Sequence, residues 1–245
     1  MVQTTYSDKE HPYELDVKQA IMDNPQLFGN IGDSRILSEK AISEFGVIAD
    51  LLIFSKNKGV IGIEIKTEHD STQRLNKQLK AYKSLSTEVW VVVHDSVYEG
   101  VEKVLKANHH DTVGVISYAI VEGEFVFGKV IESGISKEFN VKHLLNILWK
   151  TELSYMLNKV AKLRVVDGVI RKSDDAQGLR RRAPKAVIIN MLVQRLGPLG
   201  AYQMVVDSII SGEHDPEKTL NVYSFTAPIP DERIEIVNVK RKRKG

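Results

Sequence analysis

The sequence predicts an α/β domain followed by a helical, basic region. Three observations carry that reading. Apolar runs rich in β-formers alternate with helix-periodic stretches as far as Val130. After Gly134 the strand signals cease and helical spacing takes over. The charge changes sign at about the same place: residues 1–138 hold 15 basic against 21 acidic side chains, a balance of −6, and residues 139–245 hold 19 against 11, a balance of +8. Opposite balances suggest a division of labour, the basic half being suited to a polyanion.

Composition excludes several classes. The chain is 42% hydrophobic and 27% charged, ordinary values for a globular protein. No apolar stretch reaches the ~18 residues of a membrane span. The opening MVQTTYSDKEHPYELD has no basic region leading into an apolar one, so no secretory signal is expected. Absence of cysteine removes disulfides and thiolate metal sites and leaves oxygen or imidazole ligands for any metal. No glycine-rich phosphate loop is present, so no ATPase activity is expected.

The elements follow in order. Residues 13–24 and 33–43 are expected to be helices, the second capped by Asp33 or Ser34. Residues 46–54 and 60–66 read as two strands joined by the turn cluster 56–59. Asp70 and Ser71 are expected to open a helix running to Leu85. Glu88–His94 is a third strand, apolar throughout its middle, as in a sheet covered on both faces. A helix over 96–107, a strand over 113–118 and a hairpin over 118–130 follow. Helices are expected over 140–163, 183–196 and 198–211, with a polar loop over 167–182. His109-His110-Asp111 reads as an exposed turn, and Trp149 as a core residue at the domain junction. The expected boundaries are a core over 1–135, a helical accessory region over 136–214 and a poorly ordered basic tail over 215–245.

Alternate residues of a strand share a face. Glu64 and Lys66 therefore lie together on one face of the second strand, with Ile61, Ile63 and Ile65 on the other. Asp50 sits inside the preceding apolar run, and a paired hairpin brings it beside Glu64. Burying a carboxylate costs several kcal/mol unless it is paired or binds a metal. Asp50, Glu64 and the Ile65 carbonyl would form an oxygen site suited to Mg²⁺ or Mn²⁺. Lys66 would hold an attacking water and offset negative charge. The bland alternative is a carboxylate–lysine ion pair within a sheet. On the next helix Asp70, Arg74, Gln78 and Tyr82 are spaced four apart and form a polar ridge. Asp70 could cap the helix and pair with Arg74. Gln78 could orient Lys66 or bind a nucleic-acid backbone, and Tyr82 could do the same through its hydroxyl.

Asp50, then Glu64-Ile65-Lys66, then a helix bearing Gln78-Leu-Lys-Ala-Tyr82, resembles the PD-(D/E)XK, restriction-endonuclease-like nucleases. The Gln-x-x-x-Tyr element is similar to that of the RecB-like and lambda-exonuclease-like branches. IGIEIKTEHDSTQRLNKQLKAY (61–82) and LLNILWKTEL (144–153) look like a bacterial and phage group assigned to this superfamily. The likeness spans about residues 40–120. Ala49 stands where the motif has proline. The resemblance implies a mixed sheet flanked by helices and a Mg²⁺-dependent deoxyribonuclease of a bacterial or phage-infected cytoplasm. Within it, Asp50 and Glu64 would bind metal, Lys66 would be catalytic, and a third acid would come from Glu39 or, by preference, Glu44. DNA would be held by Arg74, Lys77, Arg180, Arg181, Arg182 and the tail Lys240, Arg241, Lys242, Arg243 and Lys244. A homodimer is compatible with this reading. The competing expectation is a non-catalytic nucleic-acid-binding or regulatory interaction protein on the same fold.

Overall fold

A computed structural model describes residues 14–161, 164–166, 169–171 and 183–212. The chain divides into two compact units, Met1–Asn140 and Val141–Gly245. The first is a mixed α/β unit. Its elements are α1 (Glu14–Asp23), β1 (Ser34–Ile42), β2 (Val47–Ser55), β3 (Gly59–Lys66), α2 (Leu75–Leu85), β4 (Glu88–His94), α3 (Tyr98–Ala107), β5 (Val113–Val121) and β6 (Glu124–Ile131). The six strands form one sheet in the order β1-β2-β3-β4-β5-β6. Its outer pairs are antiparallel, and β3-β4 and β4-β5 are parallel.

The local chemistry accounts for these elements. β3 and β4 are almost continuously apolar because helices cover both faces of the central sheet. On one face Val17 and Ile21 of α1, with Phe28, pack on Leu51, Ile53, Ile61, Ile63, Trp90 and Val92. On the other, the buried stripe Leu75, Leu79, Tyr82 and Leu85 faces the sheet from α2. β5 and β6 meet in a two-residue turn in which Glu122 (φ 52°) and Gly123 (φ 82°) both take left-handed backbone, the geometry that matches strand twist in tight hairpins.

Two expectations for this unit are corrected. Residues 33–43 are not a helix but β1, paired with β2 from Ser34↔Ser55 to Ile42↔Val47. As an edge strand it leaves most of its side chains exposed, so it lacks the apolar run that marks an interior strand. The second concerns Asp70. It does not start the helix; its carboxylate accepts hydrogen bonds from Thr67 N (2.9 Å) and Thr67 Oγ1 (2.8 Å) and so closes the turn after β3, and α2 begins at Leu75.

The second unit contains α4 (Val141–Asn146), α5 (Lys150–Ala161), the short antiparallel pair β7 (Arg164–Val166) and β8 (Val169–Arg171), and α6 (Lys185–Ser211). The single helix expected over 140–163 is broken between α4 and α5, where Trp149 N donates to Glu152 Oε2 at 2.5 Å. That is the backward half of a capping box and fixes a new helix start. Trp149 is accordingly not a core residue; it is 72% exposed. α6 is two helices joined at Gly197 (φ 71°, ψ 167°) and Pro198, the junction expected between 196 and 198. Leu153, Met156 and Leu157 of α5 and Ile188, Leu192 and Val205 of α6 are buried. Of the loop expected over 167–182, residues 169–171 are strand, and the remainder lies outside the described residues, as does the tail 215–245.

His110 is a further correction. His109 is exposed, but His110 is 3% exposed, with Nε2 3.0 Å from Asn76 Oδ1 and Nδ1 without a partner. Burial, then the Lys83 and Lys80 ammonium groups, hold its pKa below the usual value. A base whose folded pKa is depressed stabilises the fold fully above the unfolded pKa of about 6.5, and that stability is lost as pH falls through this value towards the folded one. The melting temperature is therefore expected to drop between about pH 8 and 5. His110→Gln is expected to flatten the drop in a calorimetric series, and an identical slope in both proteins would contradict this.

A carboxylate cleft at the β2–β3 opening

The site grows from one irregularity in the sheet. β2 and β3 are paired up to Leu51↔Ile63, and the next couple in register would be Asp50 opposite Glu64. β1 and β2 pair at Ser38↔Leu51 and Lys40↔Ala49, which places Glu39 opposite Asp50. Neither couple is a ladder pair. Glu39 takes a left-handed backbone (φ 52°), uncommon for a residue with a side chain. Three acids thus stand in one row across three strands, where the hydrogen-bond ladder is interrupted on both sides of Asp50.

The freed groups are satisfied locally. Asp50 N donates to the Tyr82 hydroxyl (2.7 Å), which itself donates to the Ile63 carbonyl (3.0 Å). Asp50 Oδ2 accepts from Ile65 N at 2.8 Å, so Ile65 enters the site through its N–H. Lys66 Nζ lies 2.6 Å from Glu64 Oε1 in a pair whose side chains are 8% and 1% exposed. Glu64 Oε2 is buried without a hydrogen-bond partner.

These groups line a cleft of about 330 Å³. Asp50, Glu64, Ile65, Lys66, Arg74, Lys77 and Gln78 all contribute, so the hairpin and α2 do bring these sequence-selected residues together. Lys77 Nζ reaches the Gly46 carbonyl at 3.5 Å, and Gln78 Oε1 is buried without a partner. Tyr82 lies behind the cleft, fully buried. Glu44 is not in the lining; it sits exposed in the β1–β2 turn. Glu39 and Glu14 are there instead. Sequence reasoning missed both Glu14 and Lys18, a lysine of α1 that is 6% exposed. Lys18 Nζ lies 2.6 Å from Glu14 Oε1 and also bonds Glu39 Oε1. The available signal was a lysine four residues after a glutamate and beside Val17 on the buried face of α1. Arg180, Arg181, Arg182 and Lys240–Lys244 lie outside the described residues.

The electrostatics follow from this crowding. Burial, then the neighbouring Glu64 charge, push the Asp50 carboxyl up to about 8. Burial also raises Glu64, against the opposing pull of Lys66 and of the Tyr82 hydroxyl. Burial works against the Lys18 charge, yet Glu14 and Glu39 outweigh it and raise its pKa. Burial, then Glu64 and Asp50, keep the Tyr82 hydroxyl protonated and available as a donor.

The fold and cleft define a mixed α/β protein with a buried acid pair, of which Glu64 is bonded to Lys66, flanked by Arg74 at the start of α2 and Lys77 within it. Residues 7–198 match the family model described as Bacteriophage P4 protein cII, and the chain belongs to that family. A curated relative is Protein cII of Enterobacteria phage P4, 30% identical over 147 residues, which cover 60% of this chain and 53% of the relative. The match thus spans about half of that relative's length. No solved structure matches.

This membership overturns the assignment to the PD-(D/E)XK nucleases, and with it the nuclease and hydrolase reading. The match that runs through most of the chain is to a phage cII family, whereas the nuclease likeness rested on Asp50, Glu64-Ile65-Lys66 and the Gln78–Tyr82 helix within residues 40–120, with the stretch 144–153. A strand pair that brings two acids and a lysine together satisfies that short pattern whatever the protein does. Among the described residues no group of three or more His, Asp or Glu side chains is placed to hold a metal ion, so any cation here would rest on fewer protein side chains. No described helix is long and apolar enough to cross a membrane.

Proposed function

We propose that the chain is a regulatory protein that works by binding nucleic acid, using the cleft between β2, β3 and α2 as a phosphate-contact site. The observation that carries this reading is the placement of Arg74, Lys77 and Gln78 on the lining of the same cleft as the buried acids. Two cations and an amide on one helix ridge suit a phosphate backbone, which such groups position without reading sequence. Membership of a phage family supports a regulatory role in a bacterial or phage-infected cytoplasm. In this reading a restriction-endonuclease-like arrangement of the sheet serves as a binding scaffold.

Mg²⁺ or Mn²⁺ fits as an accessory ligand. Glu64 Oε2 lacks a partner, and Asp50 and Glu64 oppose each other's ionisation. A cation on these two carboxylates would satisfy the first and offset the second, and it would supply a positive centre for a phosphate oxygen. Arg74, Lys77 and Gln78 would orient the backbone, while Lys66 favours the charged form of Glu64.

Fluorescence anisotropy with labelled single-stranded and duplex DNA tests the reading. Binding is expected to weaken as salt rises. Arg74→Ala combined with Lys77→Ala is expected to lower the slope of log K against log salt by about 1.4–1.8, as for two phosphate contacts. Binding by the wild type with an unchanged slope in the double variant would remove the cleft from the interface. Absence of binding by the wild type would overturn the function.

A further inference from the structure

We infer that Tyr82 is a positioning residue: its hydroxyl is a wedge that holds the β2–β3 hairpin open and sets the Asp50 carboxylate against Glu64. The inference deepens the proposed function, since its cation-binding arm rests on that reading.

Direct pairing of β2 and β3 stops at Asp50. Up to Leu51↔Ile63 the two strands satisfy each other directly. One residue further on, Asp50 N and the Ile63 carbonyl are bridged by a single hydroxyl, at 2.7 and 3.0 Å. A side-chain oxygen placed between two backbones occupies space that a direct inter-strand bond leaves none of, so the strands diverge there. With the ladder ended, Ile65 N takes Asp50 Oδ2 as its acceptor, and this bond orients the carboxylate. Removing the hydroxyl would leave a buried N–H and a buried carbonyl without the group that joins them, so the Asp50 amide would lose its protection and the carboxylate its fixed orientation.

The ring is held as firmly as the hydroxyl. Tyr82 is 0% exposed, and a Cβ built on Gly62 would lie 2.5 Å from Tyr82 Cδ1 and 2.7 Å from Ser86 Oγ. The ring thus packs close against the backbone of β3 at Gly62, where a side chain would leave no room for it. An ordinary core tyrosine needs one partner for its hydroxyl. This one joins main-chain groups of two strands at the residue where the acid row is formed. Tyr82 also stands four residues after Gln78 on α2, so the helix that carries Lys77 and Gln78 and is capped by Arg74 carries the wedge as well.

The test uses the full chain with Tyr82→Phe. Amide exchange followed by NMR reads the wedge itself: the Asp50 amide is expected to exchange about tenfold faster in the variant, relative to amides of β4 in the same protein. Calorimetry with Mn²⁺ is expected to give an affinity about tenfold weaker. Replacement of Tyr82 by para-aminophenylalanine, which keeps a polar bridging group on the ring, is expected to restore both, as a loss of packing would not be restored. Unchanged relative exchange at Asp50 in Tyr82→Phe overturns the inference, whether or not the metal binds. Absence of Mn²⁺ binding by the wild type overturns the cation reading under the proposed function and leaves the exchange experiment to decide on the wedge. Should Tyr82→Phe fail to fold, Glu64 can be replaced by its α-hydroxy acid, which turns the Ile63 carbonyl into an ester carbonyl and a weaker acceptor; unchanged exchange at Asp50 would again count against the wedge.

Discussion

Lys66→Met is expected to destabilise the protein by about 3–5 kcal/mol, the cost of stripping one partner from a buried ion pair. Both side chains are almost wholly enclosed, and the bond between them is 2.6 Å long. Without the ammonium group, Glu64 has one oxygen already lacking a partner and a second newly deprived of one. Adding Glu64→Gln to Lys66→Met removes the stranded charge, and most of the loss is expected to be recovered. Urea unfolding of the two single variants and the double variant measures this as a coupling energy. Equal midpoints for the wild type and Lys66→Met would show that the pair is solvated in solution and that the cleft is more open than its geometry implies.

Gly62→Ala is expected to cost about 3 kcal/mol, the upper part of the range for overpacking a core. The new methyl group would meet the body of the Tyr82 ring and the Ser86 hydroxyl, both on or next to α2, at distances that real contacts do not reach. Neither neighbour can move without α2 moving, because Tyr82 is bonded to β2 and β3 and Ser86 N to the Tyr82 carbonyl at 2.9 Å. Combining Gly62→Ala with Tyr82→Leu, which removes the ring, is expected to be less costly than the sum of the single changes. The urea midpoints again decide, and strict additivity would place the clash elsewhere.

Much of this arrangement was legible in the residues. The alternation of Glu64 and Lys66 with three isoleucines set their shared face, and Asp50 within an apolar run required an answering group. β4 was read with its observed bounds because five consecutive β-forming residues, Val89–Val93, flanked by polar ones leave little choice. β1 was misread because an edge strand lacks the apolar signature and its spacing also fits a helix. That error had a consequence: placing Glu39 on a helix concealed the row it forms with Asp50 and Glu64, and the exposed Glu44 was preferred. Lys18 escaped notice because a lysine on an amphipathic helix normally reaches solvent, and only the neighbouring strands show that it does not. Tyr82 was singled out for a role in the cleft, whereas its bonds run to the backbone behind it. Function was the least legible level, since a short acid–lysine pattern specifies a local geometry and family membership had to come from a match along most of the chain.

The strands of the first unit lie side by side in the order in which they are synthesised. Each new strand therefore meets its partner already made, through a short reversal or a single helical crossover, and none has to wait for a distant stretch of chain. Loop-closure entropy is then spent in small instalments, which favours rapid assembly that can follow the chain as it leaves the ribosome.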